Sequence, residues 1–535
     1  MRLPFHLFFT LVLLSCSSTT LTLGLETFKE DLSIRSLRDG KVAASFSFRT
    51  LLRDATPRDP RRLSVDDDDD ISQHYTLFPL TLGQILRQYA ITELHLTLNA
   101  GKWNYESWGA PEEPGVGTGA ELWAWMADGG SMSVDHRWQG LRNALAGLFC
   151  ASLGSLDEQR TTSPKLAFPP EGSLPDFGGL PYQIRHASHA SEHVCTENLT
   201  PFLKLLPCKS SSGLASLLNP HRLFDADWHG MGVHVTWTPE GIEVRLSFQL
   251  VSDPLRSVGV QKQNWSLDTL FDRKIQASCP VAASSQISVG LPANGMYRII
   301  PEPTKVEGEV ARYQLGTSLA EPLNVGLEWA SDFEYPSSMR DPALTPVSIH
   351  RTLQGPTQDR GRLRVTLKNN GPDDLKVLYL ETMPWLLQFY LHTTAIHVDG
   401  VPRRDLISNV SYIPPVPHSQ PATFESVLAV PGNSTVTYSV DVTKAFLRYT
   451  EHPPDAQRGW DLPPAVFVPL SDPDSPRRIY SPALLVDLAT PDFSMPYNVI
   501  IFTCSVVAFI FGSTFNLLTR KFVVVQLQGP GEGRG

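Results

Sequence analysis

His186, His189, His193 and Cys195 form the densest cluster of chemically capable side chains in the sequence. Neutral imidazoles and a thiolate bind zinc, and a cysteine beside a histidine is the nucleophile pair of cysteine hydrolases. The segment has no helical period to converge the rings, and no second cysteine lies close in sequence. It reads as a polar, solvated loop without a metal or catalytic role, and no cofactor is expected. Gly-x-Ser-x-Gly, His-Glu-x-x-His and Gly-x-x-x-x-Gly-Lys patterns do not occur. The Asp66–Asp70 run beside Arg61-Arg62 reads as a solvated loop rather than a Ca²⁺ site, because calcium ligands must converge in space.

The six cysteines divide by position. Cys16 falls in an N-terminal apolar segment and Cys504 in a C-terminal one, which leaves Cys150, Cys195, Cys208 and Cys279. These four allow two internal disulfides. Alternatively Cys150, in the apolar stretch 146–153, is a buried thiol, and an odd thiol remains for an intermolecular bridge.

Both ends carry targeting signals. Met1-Arg2, the apolar run 3–14 and small residues after it read as a signal peptide over 1–24, too short to span a bilayer. Residues 493–519 contain no Asp, Glu, Lys or Arg. Their centre, Tyr497–Leu518, would be about 33 Å long as a helix, enough to cross a membrane. Arg520-Lys521 follow at once, so the tail 520–535 is expected in the cytosol and the rest on the luminal side. A removable lipid-attachment signal would end in its apolar tail, whereas this sequence ends in polar residues. Four sequons, at Asn198, Asn264, Asn409 and Asn433, all fall on the predicted luminal side. Ser505, Gly512, Ser513 and Asn516 are small or polar positions in the span that suit packing on partner helices.

The body that must position these residues is mainly β. Alternating apolar residues occur at Val42–Phe48, Leu94–Leu98, Val233–Trp237, Ile242–Leu250, Leu363–Leu367, Val377–Tyr379 and Val436–Val442. Pro239-Glu240-Gly241 marks a hairpin. Helices are expected at Leu80–Ile91 and around Trp138, Leu141, Leu145, Leu148 and Phe149, with Asp135 near the start of the second. The Pro/Gly-rich stretch Thr161–Tyr182 reads as a long loop or linker. The chain thus divides into an α+β N-terminal region, 25–340, and a β-sandwich, 341–492. The net charge of −10 (45 Lys+Arg against 55 Asp+Glu) argues against a nucleic-acid binder. A glycosylated, β-rich ectodomain on one span also suits an independent receptor or lectin-like protein.

Longer strings are more specific. His74-Tyr75-Thr76-Leu77-Phe78-Pro79, Glu121-Leu122-Trp123-Ala124-Trp125, Gly147-Leu148-Phe149-Cys150-Ala151-Ser152 and Val194-Cys195-Thr196-Glu197-Asn198-Leu199-Thr200-Pro201 resemble the PIG-T family. So do Leu205-Leu206-Pro207-Cys208, Met383-Pro384-Trp385 and the stretch Leu484–Val499 that enters the span. The likeness runs from about residue 26 to the span and is weak across 283–360 and 450–475. It implies the large, non-catalytic luminal subunit of the GPI transamidase of the endoplasmic reticulum. That complex replaces a C-terminal signal of precursor proteins with a preformed GPI lipid, and a caspase-like cysteine-protease subunit performs the acyl transfer. The resemblance further implies that Cys195 makes a disulfide to that subunit, with Cys208 and Cys279 as the internal pair.

Overall fold

The computed structural model describes residues 26–63, 75–256, 262–292, 296–316, 321–334, 343–355, 357–452, 459–470, 477–489 and 494–525. Residues 1–24, expected to be a signal peptide, the Asp66–Asp70 run and most of 520–535 lie outside these residues. Two units separate: a body through Ala445 together with Gly459–Leu488, and a second unit of Phe446–Arg458 with the chain from Ala489 onward.

An eleven-stranded sheet dominates the body. At its middle lie Glu26–Ser36, Val42–Arg53, Gly241–Ser252, Trp228–Thr238, Glu93–Ala100, Gly119–Ala127 and Tyr182–His189, each antiparallel to the next. Ala282–Gly290 joins the other side of Glu26–Ser36 in parallel. The expected hairpin is present, with Thr238 opposite Gly241.

Period two gives this sheet two different faces. Phe46, Phe48, Leu94, Leu96, Leu122, Val233, Leu246 and Phe248 point into one core, covered by the helices Leu80–Gln88, Val134–Phe149 and Thr196–Leu205. Helix Val134–Phe149 buries Trp138, Leu141, Leu145 and Phe149 as their spacing predicts, and Ser133 Oγ caps it by accepting the His136 N–H at 3.2 Å. The first helix ends at Gln88 rather than Ile91. Ala90 takes a left-handed conformation, φ 45°, and the Ile91 N–H turns back to the Leu86 carbonyl at 2.9 Å, closing a Schellman-type end.

The opposite face carries Ala43, Trp123, Trp228 and Val251, which share a second core with Leu378, Leu380, Val466, Val468 and Tyr480. Those partners belong to one of two five-stranded sheets that form the expected sandwich. Its sheets are ordered from Val347–Gln354 to Val401–Pro402 and from Ile407–Ile413 to Ile479–Tyr480. They meet through Tyr379 and Tyr438, ring centroids 5.7 Å apart, and through a fully buried pair, Arg351 Nε to Glu381 Oε2 at 3.0 Å. The body is therefore layered as helices, broad sheet, then sandwich.

The stretch Thr161–Tyr182 is not a free linker. The N–H groups of Lys165, Leu166 and Ala167 donate to the Glu425 carboxylate at 2.8–3.1 Å, and those of Glu171 and Gly172 to Glu93 at 2.9 and 3.0 Å. Ala167 and Phe168 are buried. Two buried carboxylates, one on the broad sheet and one on the sandwich, pin the strap at both ends.

In the second unit, Ser494–Thr519 forms one helix whose segment Tyr497–Thr519 is apolar enough to cross a membrane and buries nothing within the chain. A helix apolar all round satisfies its side chains only in lipid or against other apolar helices. Ser505 Oγ donates to the Ile501 carbonyl at 2.7 Å, so its hydroxyl is satisfied inside the helix.

Candidate functional site

Cys195 is exposed and unpaired at the residue preceding helix Thr196–Leu205. Its setting is built by Asn198. Asn198 Oδ1 accepts the Cys195 N–H at 2.6 Å, while Nδ2 donates to the Phe149 carbonyl at 2.8 Å and the Cys150 carbonyl at 3.3 Å. Glu192 adds a second clasp, Oε1 accepting the Ser152 N–H at 2.7 Å. These bonds tie the start of one helix to the end of another, Val134–Phe149, and anchor the Cys195 main chain. Cys208 and Cys279 are joined in a disulfide. Closing a loop with a sequence separation of 71 residues constrains the unfolded chain by about 4 kcal/mol in the loop-entropy treatment.

Several sequence expectations change here. Cys150 is exposed, not a buried thiol: it stands just past the helix in a left-handed conformation, φ 52°, that turns it out of the apolar face. The histidines do not share one solvated loop. His186 is buried on strand Tyr182–His189, with its Nε2 3.0 Å from Glu121 Oε1, whereas His193 is exposed beyond the strand. His186 and His189 are three apart on a strand and so point to opposite faces. Asn198, one of the four sequon positions, is 1% exposed with both ends of its amide engaged. A glycan on that nitrogen is incompatible with this packing. Asn264, Asn409 and Asn433 are exposed.

A second polar constellation lies where the broad sheet meets the sandwich. Arg478 donates from Nη2 to Glu171 Oε1 at 2.6 Å, and its guanidinium lies 5.3 Å from the Trp123 ring and 5.1 Å from Phe168. The Tyr480 hydroxyl donates to Glu121 Oε2 at 2.7 Å. On the same face, the His95 ring stacks on Trp123 at 3.8 Å, with Nε2 3.1 Å from Glu93 Oε1 and Nδ1 2.9 Å from His234 Nδ1. Burial alone would raise the Glu171 carboxyl, but the charges of His95 and Arg478 and the Arg478 hydrogen bond hold it down at about 2. Burial likewise favours a neutral Glu121, and the His186 hydrogen bond and charge, with Tyr480, keep it below its ordinary value. His234 is pushed well below the usual imidazole range by burial first, then by the Arg245, His95 and Arg478 charges. The arrangement supplies fixed charge inside a seam between layers; most of its groups pair with one another across the layers, while His234 Nε2 and Arg478 Nε are buried without a hydrogen-bond partner.

Residues 7–258 and 253–531 match the family model described as the Gpi16 subunit, a GPI transamidase component. The chain belongs to the Gpi16 family. It is 34% identical over 548 aligned positions to the GPI-anchor transamidase component PIGT of Homo sapiens, covering 93% of this chain and 91% of that protein. It is 32% identical to the GPI transamidase component PIG-T homolog of Schizosaccharomyces pombe, over 97% and 94% of the two chains. Identity to the GPI transamidase component GPI16 of Saccharomyces cerevisiae is 30%, over 93% and 89%. This Gpi16-family chain is accordingly a GPI transamidase component.

For a Gpi16-family member, the Cys195 corner was legible as a string and the seam was not. Glu171, Arg478 and Tyr480 carry no local mark because their partners are far away in sequence, and Glu93 and His95, which meet each other two residues apart, also reach Gly172 and His234. One signal did exist: Glu121 interrupts a strand that is otherwise apolar, and a charge there must find a buried partner.

Proposed function

We propose that this chain is the non-catalytic scaffold of the GPI transamidase, holding the cysteine-protease-like catalytic subunit through a disulfide from Cys195. The observation that carries the tether is the state of the cysteines. Cys208 and Cys279 satisfy each other, while Cys195 stands exposed and rigidly held at the edge of the body. In this reading residues 1–24 are removed, 25–340 and 341–492 form the luminal body in the endoplasmic reticulum, 493–519 span the membrane and 520–535 face the cytosol. Ser505, Gly512, Ser513 and Asn516 lie on helices of the other membrane subunits, and Asn264, Asn409 and Asn433 carry glycans. The GPI lipid and precursor protein meet the complex rather than a reactive centre of this chain.

The test is a non-reducing gel of the complex. A covalent adduct of this chain with the catalytic subunit is expected, lost in Cys195→Ser and retained in Cys150→Ser. An adduct that survives Cys195→Ser, or none in the parent, refutes the tether.

A further inference from the structure

Cys150 and Cys195 lie far apart in sequence, yet one side chain holds both. The Asn198 amide bonds to the Cys195 N–H through one end and to the Cys150 carbonyl through the other. That shared amide ties the two main chains together at one corner, on the N–H of one cysteine and the carbonyl of the other. Both thiols are exposed and free. The remaining free cysteine among the described residues, Cys504, is inside the apolar helix. Glu192, through Ser152, closes the same corner from the other side. Cys150 also occupies a left-handed position after a helix, where glycine is the ordinary occupant and a side chain costs about 1 kcal/mol.

We propose that Cys150 is the resolving thiol for Cys195, so that the two cysteines form a dithiol that makes and releases the intersubunit bridge. The inference rests on the Cys195 tether proposed above. In the release direction the Cys150 thiolate attacks Cys195 Sγ. A Cys150–Cys195 bond forms, the bond from Cys195 to the partner's sulfur breaks, and the partner's cysteine departs as a thiolate that takes up a proton from water. In the reverse direction the partner's thiolate attacks Cys195 Sγ of the internal disulfide and Cys150 departs. One disulfide is present before and after, so neither direction requires an added oxidant or reductant. Attack from a thiol already held at the same corner has the advantage of proximity over attack by a free thiol.

The experiment uses the assembled complex with the full chain, exposed to reduced glutathione, quenched with acid and alkylated. A non-reducing gel follows loss of the adduct, and peptide mapping without reduction detects a peptide joining Cys150 to Cys195. The adduct is expected to disappear at least about tenfold faster in the parent than in Cys150→Ser or Cys150→Gly, with the linked peptide appearing in the parent. Glycine suits the left-handed position, so a folding defect at residue 150 would separate the two variants. Equal release rates, with Cys150 alkylated in every sample, overturn the resolving role while leaving the tether intact. Absence of any adduct in the untreated parent overturns the tether itself.

Discussion

Replacing Arg478 by methionine removes a guanidinium while keeping an apolar stem over Trp123 and Phe168. The side chain is only 4% exposed, and its departure leaves the Glu171 carboxylate, 27% exposed, without its 2.6 Å partner. Breaking a buried ion pair from one side costs about 3–5 kcal/mol, because the remaining charge stays desolvated. Glu171→Gln made alone strands the guanidinium, and the double substitution strands neither. The two changes should therefore couple by at least about 2 kcal/mol in a double-mutant cycle. Urea unfolding of the full chain in detergent, followed by tryptophan fluorescence, measures all four corners, and Trp123 lies directly under the lost charge. The sign of the pH dependence follows from the lowered carboxyl. Glu171 contributes stability fully above its unfolded value, about 4.5, and loses it as pH falls toward about 2. That contribution is about 3 kcal/mol and should vanish from the acid limb in Glu171→Gln. Additive effects within about 0.5 kcal/mol, or a cost below about 1 kcal/mol for Arg478→Met alone, would refute the argument.

Other outcomes follow from the same structure. His234 is held neutral, so its contribution is complete above the unfolded imidazole value near 6.5 and is lost as pH falls below it. Denaturation between pH 7 and 5 should show a slope of up to about 1.4 kcal/mol per pH unit that His234→Phe reduces. Asn198→Ala leaves the Cys195 N–H and Phe149 carbonyl unpaired and should cost about 1–3 kcal/mol by urea unfolding. Glycopeptide mapping of the parent should find residue 198 unmodified. Gly512→Leu meets nothing within its own chain, so co-purification of the other membrane subunits should fall while unfolding of the body is unchanged.

Most of the elements were readable from local pattern. The alternating runs from Val42–Phe48 to Val436–Val442 became strands because successive strand side chains point to opposite faces with different surroundings, and Trp138, Leu141 and Leu145 became a helix face for the corresponding reason at 3.6. Thr161–Tyr182 is largely the expected long loop, but its signal, proline and glycine, reports only the lack of regular structure and not what the loop packs against. That its amides end on Glu93 and Glu425 depends on two strands remote in sequence. Leu80–Ile91 ran long because a left-handed alanine carries no sequence mark.

The amino-acid sequence by itself determined the sheet-forming runs, the apolar segment that can enter a membrane and the strings that place the chain in its family, since each depends on near neighbours. Tertiary structure decided which of these residues could act. It buried Asn198 and His186, exposed Cys150, joined Cys208 to Cys279 and tied the main chains of Cys150 and Cys195 to one Asn198 amide. Exposure and pairing depend on what folds over a residue, and for each of these the covering or partnering residues come from a different part of the chain.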